Sequence, residues 1–346
     1  MAAYIQKIAT ALPNHRYGMQ EIVSFLTEHA VTSNAKRKAK IVVQKSGIEH
    51  RFSVLGDFRH SASPALFNGH VPLVEQRMRI YQQEALPLAM QAIEKLDLDA
   101  KRITHIITVS CTGMTAPGLE LQLAKALGLN HNAAKHAVNF VGCHGAFHAL
   151  KMANAFLSQD SNHKVLVVSV ELCSLHYQPS NDDDSILANV LFGDGAAACL
   201  LGTTRCKHSI EMKDFEQQII PDDDGLMAWN IHSNGFLLKL SSYVPKAIEA
   251  GLNGILDNSS QKATHWAVHP GGKNILEAVM HQLHLGQEDL HDSFDVLRQV
   301  GNLSSATILF VLQRMLERKK VGALTALGFG PGLSLEIMHA ELIGDE

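Results

Sequence analysis

The strongest constraint on the fold is that the chain repeats itself. The pair Thr104-His105 opens one strand-like run, and Thr264-His265 opens another about 160 residues later. "VGC" ends at Cys143 and "VGN" at Asn302, with nearly the same offset, and each precedes small residues and a strongly apolar helical segment. "FGDG" begins at Phe192 and "FGPG" at Phe329, and each leads into an apolar strand-like run. The shorter offset of this third pair places about 22 extra residues in the first half, with "SLHYQPSNDDDSILANV" as the obvious insertion. Three pairs in one order predict a duplicated unit, with halves over residues 1–205 and 206–346.

Within each half, strands alternate with helices. "ITHIITVS" reads as a strand, "GLELQLAKALGL" as a helix, "KHAVNFVG" as a strand, and Gly145 to about Leu157 as a helix. Valine-rich "HKVLVVSVEL" has the pattern of a strand buried on both faces. The second half offers "ATHWAVHP", "KNILEAVMHQLHL", "SSATILFVLQRML" and "GALTALGFGPGLSLEIMHAEL". This alternation predicts an α/β architecture. A length of 346 residues, 46% of them hydrophobic and 18% charged, allows a large core, and no low-complexity linker separates the halves. They are expected to pack around a shared site.

Several function classes are disfavoured. A net charge of −4 gives no reason to expect nucleic-acid or membrane-surface binding. No apolar run approaches the ~20 residues of a membrane span. The N-terminal "MAAYIQKIATALPNHRYG" reads as a first strand turning at Pro13 and Asn14, not as a secretory leader. Five cysteines without a CxxC pair predict neither a disulfide framework nor structural zinc, and a cytoplasmic setting is expected. Most of the twenty histidines fall in polar segments and read as surface residues.

Cys143, in "NFVGCHGAFHAL", stands between an apparent strand and an apolar helix. A helix N-terminus favours a thiolate, and the flanking Gly142 and Gly145 permit close approach of a substrate. A packed core thiol accounts for the stretch equally well. His144 and His148 have the i, i+4 spacing of metal ligands, but the stretch lacks an HExxH glutamate and no third ligand is identifiable, so no metal site is assigned. The duplication places Asn302 opposite Cys143, and His269 lies at a strand end in "WAVHPGG". An imidazole can pair with a thiolate, and imidazole and amide together can donate to an oxyanion. Asn302 as a helix cap and His269 as a packed histidine are the structural alternatives.

"NFVGCHGAFHAL", "VVSVELCS", "LFGDGAAACLLG", "WAVHPGGKNIL", "GNLSSATILFVLQRM" and "GFGPGLSLE" together resemble the chalcone synthase-like type III polyketide synthases, microbial members in particular. The resemblance implies a thiolase-like five-layered αβαβα fold, a homodimer, and a Cys143–His269–Asn302 triad. It implies acyl-CoA and malonyl-CoA as substrates, decarboxylative condensation, and no metal, flavin or other cofactor. Phe192 matches one gatekeeper phenylalanine, and the second gatekeeper position falls on Leu238. Trp229 stands where plant chalcone synthases carry glycine, and Cys111, Cys173 and His176 replace pocket threonines. A cysteine at the position of Cys173 resembles microbial members that take fatty acyl starters, so an aliphatic starter is expected. Glu171 matches a residue near the cyclisation pocket and Ser304 one near the triad. Lys45 and Arg51, in the basic stretch "NAKRKAKIVVQKSGIEHR", match the region that meets coenzyme A phosphates. The aspartate runs 182–184 and 222–224 read as loops. A ketoacyl synthase making one condensation, and a catalytically silent lipid-binding protein on the same fold, are the competing readings.

Overall fold

The computed structural model describes residues 1–30, 32–59, 65–221, 225–252 and 263–345. Its strands in chain order are β1 (Ala3–Ala11), β2 (His15–Gly18), β3 (His50–Ser53), β4 (His105–Ser110), β5 (Ala134–Asn139), β6 (Lys164–Leu172) and β7 (Asp194–Gly202). They continue as β8 (Ile210–Ile219), β9 (Met227–His232), β10 (Gly235–Leu240), β11 (His265–Val268), β12 (Gly322–Gly330) and β13 (Ser334–Leu342). Nine of them form one mixed sheet in the order β11-β12-β13-β8-β1-β7-β6-β4-β5. β1 pairs antiparallel with β7 of the first half and with β8 of the second, and so joins the two halves.

Side-chain alternation divides the protein into five layers. In β6, Val165 and Val167 face one way while Leu166, Val168 and Val170 face the other, and all five are fully buried. Burial on both faces explains the unbroken apolar run of this strand. The first outer core joins Leu166, Val168 and Val170 to Ala85, Leu88, Ala89 and Ala92 of the helix Val74–Glu94. A middle core joins Val165 and Val167 to the helix Gly145–Gln159, to the helix Thr307–Glu317, and to Leu324, Ala326 and Met338 of the second half. The other outer core sets Leu327, Leu335 and Ile337 against the helices Val244–Leu252 and Lys273–Gln282. The helix Thr307–Glu317 has a long buried run, Thr307 to Leu312, because sheet halves flank this central layer. No helix among the described residues is long and apolar enough to cross a membrane.

The run 182–184 is not a loop. Asp182 caps the helix Asp183–Leu191, its carboxylate accepting from Ser185 N at 2.8 Å, and Asp183 and Asp184 occupy the first turn. Negative charge there is stabilised by the unsatisfied N–H groups and the macrodipole. The run 222–224 lies outside the described residues.

Candidate active site

The reactive turn of each half is held by the glycine motif of the other. Gly142 has φ +98, and a Cβ on it would meet Pro331 Cδ of "GFGPG" at 2.1 Å. Only glycine admits that turn and that approach. The turn delivers Cys143 just ahead of the helix Gly145–Gln159. In the second half, Asn302 N donates to Leu191 O and Gly193 N donates to Asn302 O, each at 2.9 Å. This bridge ties "VGN" to "FGDG" and brings Phe192 beside Asn302. His269 continues from β11, its N–H donating to Leu327 O at 2.8 Å.

These turns open on one cavity, lined by Cys143, His269, Asn302, Ser304, Phe192, Leu238, Trp229, Cys111 and Cys173 among the expected residues. Thr112, Met227, Leu240, Ile275, Phe329 and Pro331 complete most of the wall. Asn302 is fixed at both ends of its amide. Its Oδ1 accepts from Ser304 N at 2.8 Å and from Thr307 Oγ1 at 3.3 Å, while Nδ2 donates to Gly271 O at 3.1 Å. The carbonyl therefore caps the turn before the helix Thr307–Glu317, and the amide nitrogen is presented to the Cys143 thiol. Cap and site residue are the same group.

The charge states follow from burial. Cys143 is pushed up to about 12, burial being the main cause, opposed by hydrogen bonds from Ser304 and Asn302. His269 is lowered to about 3 by burial, with His144 adding to the shift. Neither ring nitrogen of His269 has a hydrogen-bond partner among the described residues. A neutral thiol and a neutral imidazole thus share the cavity, and proton transfer between them would give each charge its natural counter-ion.

Glu171 stands behind the wall of this cavity, and His176 faces the neighbouring one. Glu171 is fully buried and accepts from Cys111 N at 3.0 Å, from Thr112 Oγ1 at 2.8 Å and from Ser305 Oγ. Burial raises it to about 7 against those donors. His176 Nε2 donates to Thr112 O at 2.7 Å while Nδ1 accepts from Phe236 N at 3.1 Å, which requires the neutral ring. Trp229 Nε1 donates to Cys111 O at 2.8 Å, and its ring meets His176 edge-on. Cys173, Phe192, Trp229 and Leu238 also line a second cavity with His176, Phe236 and Phe58. They form a partition between the two.

Lys45 lines a third opening with Lys38 and Lys273, and this groove shares Leu240, Gly271 and Ile275 with the Cys143 cavity. Arg51 lies elsewhere. It is 4% exposed, donates to Asn189 O, and is close enough to Asp194 to feel its charge.

Two sequence models of the chalcone and stilbene synthases match the chain, the N-terminal domain over residues 2–205 and the C-terminal domain over residues 211–343. The chain belongs to this family, the type III polyketide synthases. Such synthases are transferases that use coenzyme A thioesters in decarboxylative condensation. The alpha-pyrone synthesis polyketide synthase-like Pks18 of Mycobacterium tuberculosis is 29% identical, over 99% of this chain and 91% of that protein. Among solved structures, PKS-I of the brown alga Ectocarpus siliculosus superposes with TM-score 0.92 at 25% identity, covering 99% of this chain and 98% of that one. The C-terminal type III polyketide synthase domain of Steely1, a type I/III hybrid from Dictyostelium, shares the fold with TM-score 0.92 at 23% identity, covering 99% and 100%.

In this synthase, sequence reasoning missed Thr112, Lys38 and Lys273. Lys38 had a signal, since it lies two helical turns before Lys45 on one face of the helix Ser33–Lys45. Lys273 directly follows "HPGG".

The His176 clamp predicts a pH effect. Burial lowers this histidine to about 3. The folded state therefore binds fewer protons there than the unfolded state once pH falls below the ordinary value near 6.5. Its contribution is complete above that pH and is lost as pH falls toward 3. Between about pH 5.5 and 4, His176→Asn should lose stability less steeply than the parent, by about 1.4 kcal/mol per pH unit. Urea unfolding across that range measures the difference, and parallel slopes would refute it.

Proposed function

We propose that this synthase loads an aliphatic acyl group from coenzyme A onto Cys143, extends it with malonyl-CoA, and cyclises the product to a pyrone, resorcinol or related aromatic. The observation that carries this reading is the convergence of Cys143, His269 and Asn302 on one mostly apolar cavity. The halves we propose, 1–205 and 206–346, each supply part of it. The first contributes Cys143 and Phe192, the second His269 and Asn302.

In the proposed sequence, Cys143 gives its proton to His269 and the thiolate attacks the acyl-CoA carbonyl, expelling the coenzyme A thiolate, which takes that proton. Malonyl-CoA then enters, and its thioester oxygen accepts hydrogen bonds from His269 and Asn302. Loss of carbon dioxide leaves an enolate whose charge those donors stabilise. The enolate carbon attacks the Cys143 thioester, a carbon–carbon bond forms, and the Cys143 thiolate is released for the next round. No step draws on a metal or organic cofactor.

Lys45, with Lys38 and Lys273, is the proposed contact for coenzyme A phosphates, because these cations ring a groove adjoining the reactive cavity. Arg51 has no part in this reading, since it is buried against the second cavity, away from the lysine groove, where it donates to Asn189 O. Apolar Met227, Leu238, Leu240 and Ile275 favour an aliphatic starter, and the α-pyrone synthesis in the name of the mycobacterial relative favours lactone closure. On the family resemblance we propose a cytoplasmic homodimer without a nucleic-acid partner.

The deciding experiment is mass spectrometry of products from a panel of acyl-CoA starters with malonyl-CoA. Cyclised products from several extensions are expected. A single linear β-keto product would favour the ketoacyl synthase, and no acyl adduct on Cys143 would favour the silent binding protein. The same assay tests the partition. Trp229→Gly should merge the two cavities and shift the preferred starter to longer chains, and an unchanged chain-length profile would remove Trp229 from the selectivity wall.

A further inference from the structure

The helix that follows Cys143 carries a second group of donor side chains that the condensation does not use. His144 stands at the N-terminal end of this helix without capping it, and His148 lies one turn on, so both rings leave the same face. Glu336 of β13 meets them there, and one ligand-type atom from each of the three lies within 4.8 Å of the other two. His148 Nε2 and Glu336 Oε1 are 3.5 Å apart. That is close to the ~3.4 Å edge of a tetrahedron built with metal–ligand bonds of ~2.1 Å. Gly330 of β12 makes room for the arrangement, since a Cβ there would lie 1.6 Å from His144 Nδ1.

Glu336 supplies the independent observation. It is 0% exposed, and neither carboxylate oxygen has a hydrogen-bond partner among the described residues. Buried carboxylates are ordinarily paired, hydrogen-bonded or bound to a cation. Lys151, in the next turn of the helix, bears on Glu336 through its charge and is the competing cation.

We propose that His144, His148 and Glu336 bind a divalent transition-metal ion of the zinc class, through two imidazole nitrogens and one carboxylate oxygen. Two histidines with a glutamate form a zinc ligand set that leaves a fourth position open. Imidazole nitrogen selects zinc, cobalt or nickel over magnesium and calcium, which prefer all-oxygen sites. The sequence held two of the ligands at helical spacing. The third comes from 188 positions further on and is brought in by β13.

The test uses the full chain, purified without chelator and titrated with Co²⁺ alone. One equivalent should bind with the visible absorption of a low-coordinate site, and Zn²⁺ should displace it. His148→Ala and Glu336→Gln should each weaken binding by more than the ~100-fold at the top of the range that loss of an outer-shell partner costs. Cys143→Ala should bind as the parent does. The absence of saturable binding, unchanged affinity in both ligand variants, or loss of binding in Cys143→Ala would each overturn the proposal. If a ligand variant fails to fold, Lys151→Gln decides. Removing the competing cation should tighten cobalt binding, and unchanged or weaker binding there counts against the site.

Discussion

Cys143→Ala should abolish polyketide formation while leaving the fold and malonyl-CoA decarboxylation in place. The substitution removes one sulfur from a position already edged by the cavity, so little packing is lost. Gly142, which sets the turn, and the helix that follows are untouched. What disappears is the only carrier for the acyl group in the proposed sequence. Loss of a nucleophile from a cooperating triad costs on the order of 10⁴–10⁶ in rate, so products should fall below detection. Decarboxylation of malonyl-CoA requires only the donors His269 and Asn302, and acetyl-CoA should still accumulate. Product mass spectrometry with acyl-CoA and malonyl-CoA reads both results at once. Full polyketide yield from the variant would remove Cys143 from the chemistry.

Much of this architecture is legible in the amino-acid pattern, because burial imposes periodicity. β6 needs apolar side chains on both faces, and its valine run announces that. The duplication is legible for a different reason: "VGC" repeats as "VGN" and "FGDG" as "FGPG", each marking a turn that small residues make. What the repeats could not reveal is that the motifs clamp crosswise, Gly142 on Pro331 and Asn302 on Gly193. That pairing lies in the tertiary packing of one half on the other.

The limits at the site have physical causes as well. Lys45 and Arg51 sit six positions apart in one basic stretch, yet one lines a groove and the other is buried beside Asp194. Charge alone does not say which side of a short strand a guanidinium takes. The pocket position of His176 was readable, but its role was not. That an imidazole braces the wall of one cavity while lining the next depends on the backbone groups of Thr112 and Phe236, which are distant in sequence.

Asn302→Ala should separate acyl loading from extension. Its amide nitrogen faces the Cys143 thiol and is oriented by Ser304 N and Thr307 Oγ1 on the carbonyl side and Gly271 O on the other. A donor held in this way needs no reorganisation when the enolate forms, and removal of one such donor costs about 2.7–4 kcal/mol, or roughly 10²–10³ in rate. Acylation of Cys143 draws on the thiol and His269, so an acyl adduct should still appear by intact-protein mass spectrometry within the same incubation. The truncation also removes a cap, which lowers stability by about 1 kcal/mol. Thr307→Val disturbs the same cap without touching the amide donor, and should lose stability but retain most of the extension rate. If Asn302→Ala extends as fast as the parent, the oxyanion role fails and Asn302 is a cap alone. If Thr307→Val falls as far as Asn302→Ala, the loss comes from the turn and not from the donor.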